Sequence, residues 1–306
     1  MPSSGRSRRD FLKAASLAGA AALVAPQGLV AQPATRRRYS LAYLTVFGCP
    51  PPEMTYIAKR AGYDFVSLRP ISMNLPGEPV FDLARDAALL RQTRTALAST
   101  GLSVHDIELA RIGDGVDVDT WRPALEAGAE LGARHVISSI WTTNRSFAQD
   151  AYSRLCELAR PLGLTIDLEF VTFASLKTLR EAVEFLRVVR QPNCGVLVDM
   201  LHVSRSHVSL NELDAVPREW VHFTHVCDGA VPWNATDEAL IHTARDERLY
   251  LGEGGIDVAG ILQRLPPVVC SIELPHTARV REMGYAEHAF RCLETTRTYL
   301  AQKGVA

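Results

Sequence analysis

The chain has 306 residues, 47% of them hydrophobic and 22% charged, with 20 Gly and 17 Pro, which argues against disordered, collagenous and coiled-coil classes. Lys and Arg number 33 against 34 Asp and Glu, and no block of five or six like charges occurs, so nucleic acid and anionic membranes are disfavoured as partners. The six cysteines, Cys49, Cys156, Cys194, Cys227, Cys270 and Cys292, lack metal-type spacing; in a chain long enough to bury a sizeable core they read as mostly buried thiols.

The chain opens with Ser7-Arg8-Arg9-Asp10-Phe11-Leu12-Lys13, an Ala-rich run from Ala14 to Ala25, and then Pro26 and Gly28-Leu29-Val30-Ala31. This resembles a twin-arginine export signal at every fixed position of that pattern. The apolar run of about a dozen residues is short of the roughly twenty that span a bilayer, so no membrane insertion is expected. Cleavage is expected after Ala31. It removes four basic residues (Arg6, Arg8, Arg9, Lys13) and one acidic residue (Asp10), which leaves a mildly acidic mature protein. The resemblance implies the twin-arginine machinery as a partner and a periplasmic location for a protein that crosses the membrane folded.

Residues 32–38 read as a linker and 39–306 as one domain. Strands are expected at Tyr39–Val46, Tyr63–Leu68, Leu102–Leu109, His135–Ile140, Leu164–Phe170, Gly195–Asp199, Val221–Val226 and Pro267–Leu274. Helical patterns fall near Pro52–Ala61, Phe81–Ser99, Trp121–Leu131, Asn144–Leu162, Ser175–Val189, Leu210–Ala215, Ile256–Leu265 and Ala286–Gln302, several followed by a stop glycine such as Gly62 or Gly101. Strands apolar on both faces, such as Gly195-Val-Leu-Val-Asp199, suit parallel pairing under helices. Eight such units predict an α/β fold, a single (β/α)8 TIM barrel. The runner-up, a doubly wound open sheet, lacks the G-x-G-x-x-G turn after the first strand.

In such a barrel chemistry sits at the C-terminal strand ends. The fifth to eighth strands end in Glu169, Asp199, His225 and Glu273. Alone, each carboxylate reads as a loop or cap acceptor and the histidine as a satisfied core group. On neighbouring strands about 4.8 Å apart, the four can converge on one ion. Three carboxylates and an imidazole make a hard, oxygen-rich set suited first to Mn²⁺, then Mg²⁺ or Co²⁺, with Zn²⁺ also compatible.

The order Glu, Asp, His, Glu on those strands, with Asp199-Met-Leu-His202 and Arg248-Leu-Tyr-Leu-Gly252-Glu-Gly254, resembles the xylose-isomerase-like TIM-barrel superfamily of sugar phosphate isomerases and epimerases. The likeness covers residues 39–300. It implies one divalent metal ion held by Glu169, Asp199, His225 and Glu273, and a small carbohydrate-like substrate. It assigns Glu169 and Glu273 as the catalytic acid and base, with His202 and Arg248 near the substrate, and is compatible with a homodimer. Arg69 and Glu108 stand on the same rim as substrate-contact candidates, ahead of Arg111 and Arg245. Trp141, Phe170 and Trp233 are candidates to stack on a sugar ring.

A divalent ion chelated by a carbonyl and an adjacent hydroxyl stabilises an enediolate, so two flanking carboxylates can move a proton beside the carbonyl. The expectation is a metal-dependent isomerase or epimerase of a sugar-like keto compound. Loss of a β-hydroxyl at the same site would make it a dehydratase of a keto-polyol or keto-glycoside. A catalytically silent exported sugar-binding barrel is the alternative of a different class, and it would not need all four ligands.

Overall fold

The computed structural model describes residues 36–73 and 78–305. The segment read as an export signal, with Arg8, Arg9 and the cleavage point after Ala31, lies outside the described residues.

Eight strands are present among the described residues: β1 Tyr39–Leu41, β2 Phe65–Leu68, β3 Ser103–Ile112, β4 His135–Ile140, β5 Thr165–Glu169, β6 Cys194–Asp199, β7 Phe223–Val226 and β8 Val269–Ile272. Each pairs in parallel with the next, and β8 returns to β1 through Tyr39↔Cys270, Ser40↔Ser271 and Leu41↔Ile272. That last pairing closes the barrel and excludes the open sheet. The helices are α1 Pro51–Ala61, α2 Ala87–Thr100, α3 Arg122–Glu130, α4 Arg145–Ala159, α5 Leu179–Val189, α6 Met200–Arg205, α7 Leu210–Asp214, α8 Asp237–Asp246, α9 Val258–Arg264 and α10 Thr277–Gln302. Among the described residues no helix is long and apolar enough to cross a membrane.

Period-two alternation sorts the strand residues between two cores. Ile166, Leu168, Val196, Val198, Cys270 and Ile272 join the apolar layer between barrel and helices. Ile137, Leu197, Phe223 and Val269 form a separate cluster inside the barrel. Phe223 is fully buried there, which contributes roughly 1.5–3 kcal/mol of transfer free energy. The same parity turns Glu169, Asp199, His225 and Glu273 inward, one step past this apolar plug toward the C-terminal end.

Several boundaries differ from the sequence expectation, each for a local reason. The first strand stops at Leu41, and Tyr43–Val46 is a 3-10 turn. There Thr45 Oγ1 donates to the Ile272 carbonyl at 2.7 Å and accepts from the Leu274 N–H at 2.9 Å, so tertiary hydrogen bonds override β-propensity. Helix α2 starts at Ala87, later than expected, because Asp86 caps it by accepting from the N–H groups of Ala88 and Leu89. Helix α5 starts at Leu179 behind a Thr178/Glu181 capping box. Helices α6 and α8 were not anticipated, and α10 begins nine residues early with a break at Gly284, whose φ of 77° suits glycine. Arg37 and Arg38, in the stretch expected as linker, contact the barrel: Arg37 Nε donates to Val305 O at 3.2 Å, and the Arg38 guanidinium lies over Phe65.

Candidate active site and metal centre

Glu169 and Asp199 close β5 and β6, His225 lies in β7, and Glu273 follows β8 by one residue. One ligand atom from each of the four lies within 4.8 Å of the others, and the four residues are between 0 and 8% exposed. His225 Nδ1 is 3.2 Å from Glu273 Oε2, 3.6 Å from Asp199 Oδ2 and 3.8 Å from Glu169 Oε1. Neither ring nitrogen of His225 makes a hydrogen bond of good geometry. A buried imidazole left unsatisfied among three carboxylates is costly in an apoprotein, whereas its nitrogen is a ready donor for a cation. The donor set fits a divalent ion.

Electrostatics around the cluster are strongly uneven. Burial, with Glu273 and Asp199 beside it, pushes Glu169 well above the usual carboxylate range. Burial also acts on Asp199 and Glu273, but it is outweighed by Arg248 at Asp199 and by His225 and Arg248 at Glu273, so both are held low. The Glu273, Asp199 and Glu169 carboxylates hold His225 well above its ordinary value despite burial.

Arg248 accounts for much of this. Its guanidinium is 2.6 Å from Asp199 Oδ2 and 2.7 Å from Glu273 Oε2, and Nε donates to Ala244 O at 3.0 Å. It is a buried brace on two of the three carboxylates, more than a free arm for substrate. His202 is buried on α6: its N–H donates to Asp199 Oδ1 at 3.0 Å, and its Nδ1 lies 3.3 Å from Thr172 Oγ1. Burial lowers its pKa to about 4, leaving the ring neutral. Arg69 and Glu108, predicted separately, are partners: Arg69 donates to Glu108 Oε2 at 2.8 Å and to Glu78 Oε1 at 3.3 Å. Glu108 Oε1 has no hydrogen-bond partner.

These groups wall a small cavity of about 50 Å³. It adjoins a larger one of about 430 Å³, with Leu44, Arg69, Met73 and Arg245 common to both. Trp141 and Phe173 line the small cavity, with ring centroids 5.9 Å apart. Of the other aromatic candidates, Phe170 is fully buried core. Trp233 packs on His207 and beneath Arg205, and does not line either cavity. Sequence reasoning missed Thr172 and Phe173, which sit in the loop after β5 beside no motif.

It also missed a polar group at the opposite end of the barrel. His222 Nδ1 is 2.6 Å from Asp167 Oδ1, Thr165 Oγ1 donates to Asp167 Oδ2 at 2.6 Å, and His135 Nδ1 is 2.8 Å from Thr165 Oγ1. Both carboxylate oxygens are satisfied, so this network reads as a polar seal at the strand N-termini.

Comparison with known proteins agrees with this architecture. An inosose isomerase of Bacillus subtilis (strain 168) is 24% identical over 172 residues, 51% of this chain and 59% of that protein. The chain thus spans under two thirds of that relative's length. A ketose 3-epimerase of Arthrobacter globiformis is 26% identical over 230 residues, 65% of this chain and 67% of its own. A crystal structure of the IolI protein with a bound zinc atom shares the fold, with a TM-score of 0.71 at 19% identity, covering 87% of this chain and 99% of that one. The family model described as xylose isomerase-like TIM barrel matches residues 56–296, and with the closed eight-stranded barrel already on the page, the chain belongs to that family.

Proposed function

We propose that the protein is a divalent-metal-dependent isomerase or epimerase of a sugar-like keto compound, exported to the periplasm by the twin-arginine route. One observation carries the reading: Glu169, Asp199, His225 and Glu273 converge at the C-terminal mouth of the barrel, with Glu169, His225 and Glu273 on the wall of a cavity. The inosose isomerase and ketose 3-epimerase relatives support the reaction class, and the zinc in IolI supports a divalent ion. Those four residues would hold the ion, for which the oxygen-rich set favours Mn²⁺ over Mg²⁺, Co²⁺ or Zn²⁺. When bound, such an ion polarises a carbonyl and its neighbouring hydroxyl and makes the adjacent C–H more acidic.

The chain's own groups do the rest. Glu169 and Glu273 act as the acid–base pair, one carboxylate taking the proton from carbon and the other returning it. Arg248 keeps Asp199 and Glu273 ionised and in place. His202, neutral and buried on the cavity wall, and Glu108 Oε1, unpartnered there, orient substrate hydroxyls.

The test is turnover in D₂O over ketoses, inososes and keto-glycosides. Deuterium on the carbon beside the carbonyl in an isomeric product is the expected result, and Glu169→Gln or Glu273→Gln should stop it. Loss of water with a new enone absorbance would replace the isomerase by a dehydratase. Binding with no carbon-bound exchange for any of these compounds would replace both by a silent binding barrel.

A further inference from the structure

Two half-buried arginines stand beside the aromatic rings that line the small cavity. Arg111, on β3, and Arg245, on α8, are both half-buried. Neither makes a hydrogen bond or an ion pair among the described residues. Arg111 stacks over Trp141 at 3.8 Å, and Arg245 lies 6.0 Å from the Phe173 ring. Those two rings line the small cavity, and Arg245 lines both cavities. Arg69 next to them is different, because Glu108 and Glu78 neutralise it.

Some other arginines of the chain find carboxylates even on the open surface, as Arg154 does with Asp119 and Arg291 with Glu287. At Arg111 and Arg245 burial lowers the pKa, and a neighbouring guanidinium lowers it further: Arg245 acts on Arg111, and Arg69 on Arg245, where Asp246 and Glu78 offset only part of the shift. Partly desolvated cations without a paired anion cost stability. A neutral polyol would leave that cost in place. A carboxylate or phosphate would remove it, since guanidinium forks match either oxyanion with two parallel hydrogen bonds.

We propose that the substrate is an anionic keto compound, bearing a carboxylate or phosphate remote from its carbonyl, and that Arg111 and Arg245 form the oxyanion subsite that selects it. This rests on the isomerase reading for its carbonyl end, but the subsite can be measured without turnover.

The experiment is calorimetric titration of the purified protein with D-glucuronate, with inorganic phosphate, and with D-glucose as the neutral control. At least one oxyanion should bind at least tenfold more tightly than D-glucose, and the stronger of the two names the group. Arg111→Gln and Arg245→Gln should each weaken that binding roughly tenfold or more, while Arg245→Lys, which keeps the charge, should restore part of it. Circular dichroism of the variants checks that each is folded. In turnover, the ratio of kcat/KM for the matching anionic keto sugar, D-fructuronate if the carboxylate binds more tightly or D-fructose 6-phosphate if phosphate does, to that for D-fructose should fall by the same factor in Arg245→Gln. Oxyanion binding that survives both Gln substitutions, or affinity no better than for D-glucose, overturns the subsite. Arginine-dependent binding without proton exchange on any keto compound leaves the subsite standing and removes the isomerase reading instead.

Discussion

Asp199 and His225 offer the most direct test of the metal centre, because neither is assigned a proton-transfer role. An ion held only by the folded state stabilises that state, by about 2.7 kcal/mol at a hundredfold excess over Kd. Asp199→Ala or His225→Ala should therefore abolish both the bound divalent ion, read by elemental analysis, and the rise in Tm on adding Mn²⁺. Full metal content in either variant would remove the ligand set. At the other end of the barrel, burial lowers the pKa of His222, but the bond to Asp167 outweighs it and the net shift is upward. A histidine whose folded pKa is raised stabilises the fold fully below its unfolded value near 6.5, and loses that contribution as pH rises through the folded value. His222→Gln should thus destabilise more at pH 5.5 than at pH 9 in urea unfolding, and equal losses at both would show that the imidazole is not titrating there. Glu169, Asp199, His225 and Glu273 were legible because each sits at or within one residue of a strand end, at one parity. The Arg69–Glu108 pair and the brace by Arg248 were not, since they join residues 39 and 49 positions apart.

Glycine 195 shows how one element depends on its neighbours. A Cβ on β6 at this position would lie 2.5 Å from Asp167 Oδ1, 2.5 Å from the Trp220 carbonyl and 2.6 Å from His222 Nδ1. Two of the three clashes are with the polar seal and one is with backbone. Gly195→Ala should cost about 1–3 kcal/mol, the usual penalty of overpacking, visible as a lower denaturation midpoint. A local element gives a smaller effect: Thr178→Ala removes the side-chain oxygen of the α5 capping box and should cost about 1 kcal/mol. The same distinction separates what was readable. Helices with their own periodicity and stop glycine, such as α1 ending at Gly62 (φ 94°), were visible in the sequence. Helix α6 was not: it is one short segment whose cap is Asp199 itself, so the candidate ligand and the helix start share a residue. Helix α8 was hidden inside a long connection after β7, yet it carries Arg245 and supplies the Ala244 carbonyl that fixes Arg248.

For the whole molecule, replacing Arg8 and Arg9 with lysine should leave an unprocessed, folded, cytoplasmic protein, because the pair is read as an address; fractionation with an unchanged periplasmic pool would withdraw the localisation. The amino-acid sequence by itself determined the eightfold alternation of strand and helix, the inward parity of Glu169, Asp199, His225 and Glu273, and through their order the family. These are properties of period and spacing, which a linear chain carries in full. The tertiary structure alone decided that β8 returns to β1, that Arg69 is ion-paired while Arg111 and Arg245 are not among the described residues, that Arg248 braces two carboxylates, and that the small cavity shares part of its wall with a larger one. Each of those depends on groups brought together across the closed barrel, where charge balance and desolvation are set by neighbours that no local pattern names.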